Sequence, residues 1–237
     1  MNIIYSTNEF DIYQDKRKTT IFTITNNSKN TSTELFNPLL NSIIKTNLIN
    51  NATILRENET NKSIFFKALS VESFNQFKER QNKINNNNTI PYKFILQIIY
   101  SLSKQISYLL KNESKCFYKF DISNILVIDD CKFIYLSYED LNDIKENKII
   151  IYRPISKTIG YLSPELKNAK SIPILVSYKT IFYSLGSFIL YNITSNEETN
   201  EETNIANKLS CIKDTKLYYF LKRCLYNEPE KRFLLYI

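Results

Sequence analysis

Four short segments, in a fixed order between Phe117 and Arg232, constrain this chain more than its bulk composition does. They are Asp121-Ile-Ser-Asn124-Ile-Leu-Val127, Gly160-Tyr-Leu-Ser-Pro-Glu165-Leu166, Tyr183-Ser-Leu-Gly186 and Cys224-Leu-Tyr-Asn-Glu-Pro229-Glu-Lys-Arg232. The first runs from a polar loop into an apolar strand. A tight hairpin follows it, with strands expected over 125–128 and 132–136 and Asp129-Asp130-Cys131 as the turn. The third opens an apolar helix expected over 178–193, and the fourth closes one expected over about 215–226. Two absences weigh as much. The chain has no histidine, and its only glycines are Gly160 and Gly186. Glycine alone takes positive φ cheaply, so no glycine-rich loop exists before residue 160.

A chain of 237 residues suffices for one large domain or for two small lobes sharing an interface, and 43% apolar residues are enough to fill the core of either. Asn, Lys and Ile dominate, as in proteins of AT-rich genomes. A net charge of +7 permits anionic partners. The basic residues are scattered among Asn and Glu with no sustained run, which reads as solvated surface and argues against a nucleic-acid partner. Cys116, Cys131, Cys211 and Cys224 form no Cys-x-x-Cys pair, and no histidine exists to complete a zinc site. They read as thiols in a reducing compartment. Serine–histidine and cysteine–histidine catalysis is excluded by composition. No apolar run has the length of a membrane span, and Met1-Asn-Ile-Ile-Tyr5 lacks the basic start of a signal peptide. The expectation is a soluble intracellular, cytoplasmic protein without a membrane partner.

Along the chain, residues 1–25 read as a strand pair: 3–13, the charged turn 14–18, and the β-branched run 19–25. Ser32 or Thr33 is placed to cap a helix over 34–48, whose Leu35, Leu39, Leu40, Ile43, Ile44 and Leu48 share one face. Strands are expected around 52–56 and 63–70, joined by the turn 57–61, and a short helix over 74–83. Pro91 marks the start of a long helix whose Phe94, Ile98, Leu102, Ile106 and Leu109 recur at helical spacing. The stretch 137–160 is poor in helix signals, and the Glu/Thr/Asn-rich stretch 195–204 reads as an exposed loop.

Four such segments in register resemble the C-lobe of a protein kinase: the catalytic-loop Asn with its following strand, the end of the activation segment, an apolar central helix, and the Arg that closes the core. The resemblance covers residues 91–237 and over 1–90 rests on the order of elements alone. It implies an α+β, two-lobed protein-kinase-like fold, with a small β-rich N-lobe over 1–73 and a mostly α-helical C-lobe over 74–237. Asn124 matches the catalytic-loop Asn, which implies a magnesium ligand; as a plain residue it is also a good turn former before a strand. Glu165 and Arg232 match the family's buried ion pair, an Arg–carboxylate fork.

The departures from the family fall on the chemistry. The family's catalytic Asp position holds Lys119, whose ammonium cannot accept a hydroxyl proton. Asp121 could take the base role after a two-residue deletion, or could cap the loop through backbone N–H groups. Ser137-Tyr138-Glu139 stands where Asp-Phe-Gly belongs, which leaves Glu139 or Asp140 as the carboxylates within a short shift. The strand 21–25 lacks the expected lysine, flanked only by Lys18 and Lys29. Glu34 is either the helix partner of that lysine or a first-turn acid favoured by the helix dipole. Ile181 stands where the central helix carries a bracing Asp. A kept scaffold with an eroded site is similar to the pseudokinases of large DNA viruses with AT-rich genomes, which would place the chain in host cytoplasm or virion. The function expected is binding of a protein partner without a cofactor. A divergent active Ser/Thr protein kinase with Asp121 as base and Mg-ATP as cofactor is the alternative, and a basic nucleic-acid-associated structural protein a second.

Overall fold

A computed structural model describes residues 1–27, 33–49, 52–56, 62–86, 89–156, 161–194 and 201–234. Lys29, Ser32, the turn 57–61, Gly160 and the first part of the 195–204 stretch lie outside them. The protein is a mixed α+β structure with small antiparallel sheets.

Strands β1 (Asn2–Ser6), β2 (Phe10–Gln14) and β3 (Ile21–Asn26) form a meander, followed by helix α1 (Thr33–Ile44) and strands β4 (Thr53–Arg56) and β5 (Lys62–Lys67). The five strands make one antiparallel sheet of order β1-β2-β3-β5-β4. The single strand expected over 3–13 is therefore two. The Thr7 hydroxyl accepts the N–H groups of Glu9 (3.2 Å) and Phe10 (2.9 Å), a side-chain turn that reverses the chain without Gly or Pro. The next turn is held by Asp15, which accepts from the N–H groups of Arg17 and Lys18. Helix α1 stops four residues short of expectation. Asn47 adopts φ 56°, its N–H bonds the Ile44 carbonyl, and the Leu48 N–H bonds that of Ile43, which terminates the helix in a Schellman motif. Phe36, Leu39, Leu40 and Ile43 are buried, and the Phe36 ring stacks on Phe10 of β2 at 5.8 Å.

Strand β6 (Val71–Ser73) leads into helix α2 (Phe74–Asn85), which starts at a Ser73/Gln76 capping box and ends at a left-handed Asn86. Helix α3 (Tyr92–Tyr108) follows Pro91 and buries Phe94, Ile95, Ile98, Ile99, Leu102 and Ile106 along one face. After β7 (Lys115–Phe117), the hairpin β8 (Ile125–Ile128) and β9 (Lys132–Tyr135) forms as expected, and β6 adds to it in the order β6-β8-β9. Two short strands, β10 (Leu141–Asp143) and β11 (Lys148–Ile151), occupy the stretch that lacked helix signals. Helix α4 (Pro164–Lys167) and strand β12 (Ile174–Ser177) come next; β10 pairs with β7 and β11 with β12. The chain then forms α5 (Thr180–Ile193), α6 (Glu201–Ser210) and α7 (Lys216–Cys224). Helix α6 begins at Glu201, inside the stretch read as an exposed loop.

Helix α5 is buried on nearly every side and packs on both α3 and α7. Its crossing with α7 needs Gly186, because a Cβ there would lie 2.7 Å from the Cys224 Cβ. With glycine so scarce, other residues supply the left-handed turns. Asn47, Asn86, Asp129, Asp130, Asn147 and Asp214 do so with the short polar side chains that tolerate that region best, joined by Ser114 and Glu146.

Candidate functional site

A cleft of about 450 Å³ lies between the β1–β2 turn and two loops, 119–124 and 137–140. Tyr5, Glu9, Lys119, Asp121, Asn124 and Asp140 are among its lining residues. It gathers on one surface Lys119, Asp121, Asn124, Ser137, Glu139 and Asp140, residues that stood out in the sequence. The side chains of Lys119, Asp121, Ser137, Glu139 and Asp140 are each engaged by a neighbour.

Asp121 precedes a 3₁₀ turn (Ile122–Asn124), and its Oδ1 accepts the Ser123 N–H at 3.0 Å and the Ser123 hydroxyl at 2.7 Å. One carboxylate oxygen thus caps the loop. The Tyr135 hydroxyl accepts the Asp121 N–H at 3.1 Å and donates to Asp140 Oδ2. Tyr135 is fully buried, and burial holds its hydroxyl well above the ordinary tyrosine range, so it acts as a neutral hub between the two loops.

Lys119 lies 3.4 Å from Asp140 Oδ1. Asp140 is buried; desolvation raises its carboxyl above the usual range, while Lys119 and the hydroxyls of Tyr135, Tyr118 and Ser137 pull it down. Lys119 is therefore the counter-ion of a buried carboxylate. Glu139 also lines the cleft and lies 2.9 Å from Arg153 in an exposed pair.

Ser137 meets a residue that sequence reasoning did not single out. Its hydroxyl donates to Glu9 Oε1 at 2.6 Å, and Glu9 Oε2 accepts the N–H groups of Tyr138 (2.7 Å) and Glu139 (3.2 Å). Glu9 is buried in the turn between β1 and β2. Burial pushes its carboxyl up to about 7, against the pull of its three donors and with Asp140 adding to the push. The same hairpin is tied down twice more: the Tyr5 hydroxyl donates to the Ser123 carbonyl, and Phe10 meets the Tyr138 ring edge-on at 5.7 Å.

Glu165 and Arg232 come together away from the cleft. Arg232 is fully buried and forks onto Glu165, Nη1 to Oε1 at 2.6 Å and Nη2 to Oε2 at 2.9 Å. Its Nε donates to the Tyr226 carbonyl and its Nη2 also to that of Asn227, with the guanidinium 5.0 Å from the Tyr183 ring centroid. Ile181 is buried in α5 and offers the loop no polar group. One turn on, the Ser184 hydroxyl accepts the Phe120 N–H at 3.1 Å. Lys18 is exposed in its turn, and the Glu34 side chain lies outside the described residues.

Among the described residues no group of three or more Asp, Glu, Cys or His side chains gathers to hold a metal, and Asp140 accepts the Tyr135 hydroxyl. No protein-family model and no curated protein matches the chain.

Proposed function

We propose that this chain is a protein-kinase-like domain of two lobes that transfers no phosphate and acts by binding another protein. The observation that carries the reading is the contrast between two ion pairs. Glu165–Arg232 forms the bidentate fork that the resemblance calls for, whereas Lys119–Asp140 neutralises the place where a catalytic base belongs. The strand–strand–strand–helix–strand–strand order of the first 67 residues, ahead of a largely helical region, supports the two-lobed reading. Glu9 adds to it by filling, with a carboxylate, the turn that would have to face an anionic nucleotide. A second reading, a divergent kinase with Asp121 as base, draws support from Asp121 lining the cleft with Oδ2 outside the Ser123 bonds.

Phosphotransfer separates the two readings. The full chain, given Mg-ATP labelled at the γ-phosphate, is expected to incorporate nothing above background into itself or a generic acceptor protein, wild type and Asp121→Asn alike. Loss of a general base costs about 10²–10⁴-fold in rate. Robust incorporation by the wild type that vanishes in Asp121→Asn would replace the binding-domain reading with the enzyme.

A further inference from the structure

Three hydrogen-bond donors converge on Glu9 from one short turn: the Ser137 hydroxyl and the N–H groups of Tyr138 and Glu139. We infer that the 137–139 turn is an oxyanion seat whose resident, the Glu9 carboxylate, can be exchanged for the carboxylate of an external ligand. Successive backbone N–H groups aimed at one point form an anion-binding concavity whether or not the anion belongs to the same chain.

The donors are held in place by groups other than Glu9. The Ser137 oxygen accepts the Asp140 N–H at 3.2 Å, which turns its proton outward, and Asp140 is anchored by the Tyr135 hydroxyl. The Tyr138 ring rests on Phe10. The Glu9 backbone is also fixed, through its N–H to Thr7 and its carbonyl to the Asn27 N–H. Exchange therefore requires only that the Glu9 side chain rotate into the cleft of about 450 Å³ that it already lines. Lys119 faces that cleft, paired with Asp140; Asp121 lines it, and so does Glu139, whose carboxylate is paired with Arg153. Those neighbours favour a singly charged carboxylate over a dianionic phosphate. The seat does not depend on the kinase-like reading, since it needs neither nucleotide nor metal.

Amide hydrogen exchange of the full chain, read at Tyr138 and Glu139, tests it. In Glu9→Ala both amides are expected to exchange about ten-fold faster than in the wild type, the loss of one or two net hydrogen bonds. Sodium acetate should slow them again saturably, and sodium chloride at equal ionic strength should not. A short peptide with a single Glu, run in parallel, assigns the ligand to a protein if it acts at lower concentration than acetate and to a free acid if it does not. Inorganic phosphate should act more weakly than acetate. Unchanged protection in Glu9→Ala, or faster exchange that neither carboxylate reverses, would overturn the inference. If that variant does not fold, Glu9→Gln keeps the side chain's bulk: several-fold faster exchange reversed by acetate is expected, and wild-type protection would contradict the need for an anion.

Discussion

Arg232→Ala is expected to lower the unfolding free energy by about 3–5 kcal/mol, the cost of breaking a buried ion pair by removing one partner. The substitution strands the Glu165 carboxylate and the Tyr226 and Asn227 carbonyls, all of which bond the guanidinium, and it empties the volume of a fully buried side chain. Arg232→Lys keeps the charge but cannot fork onto both carboxylate oxygens while reaching two carbonyls, so it should fall between. Equilibrium urea unfolding reads both changes as shifts of midpoint at constant slope. An unchanged midpoint for Arg232→Ala would show that the fork contributes nothing to the fold.

Gln105→Leu should be of similar size, for a different reason. Strand β9 lies at the edge of its sheet, and its Tyr135 peptide is buried there. The Gln105 amide on α3 completes that edge: Oε1 accepts the Tyr135 N–H at 3.0 Å, and Nε2 donates to the Tyr135 carbonyl at 2.9 Å and to Ser42 Oγ at 3.2 Å. One side chain thus stands in for a neighbouring strand and links α1, α3 and β9. Leucine preserves much of the volume but leaves a buried N–H and a buried carbonyl without partners, at about 1–3 kcal/mol each. A loss of about 2–6 kcal/mol follows from that sum. Because Tyr135 also holds Asp140, its loosened backbone should raise amide exchange across the 135–140 loop as well. A loss under about 1 kcal/mol would mean that water replaces the amide there.

What could be read from the residues was what local chemistry decides. The β8–β9 hairpin shows in its apolar runs and Asp-Asp turn, α3 in the spacing that follows Pro91, and α5 in an apolar stretch too continuous for a surface helix. The β1–β2 reversal lies in the polar run Ser6-Thr7-Asn8-Glu9, which has no Gly or Pro to mark it because the Thr7 hydroxyl holds the turn. Helix α6 was hidden because Glu, Thr and Asn write a helix and a loop alike. At the site, Asp121, Asn124 and Lys119 stood out because the motif numbers them. Glu9 did not, because its partners lie 128 to 130 positions away and nothing local marks a carboxylate aimed into a distant turn. Ser184 sat inside a recognised segment, yet its bond to the Phe120 N–H emerges only once Ile181 is seen to offer the loop no polar group.

On the proposed reading, the chain's own pairs, Lys119 with Asp140 and Glu9 with the 137–139 turn, close the cleft to a metal-bound nucleotide. Titration calorimetry of the full chain with ATP, run with and without magnesium, tests it most directly. The expected result is no saturable heat up to millimolar ATP in either condition; a micromolar dissociation constant that depends on magnesium would contradict it.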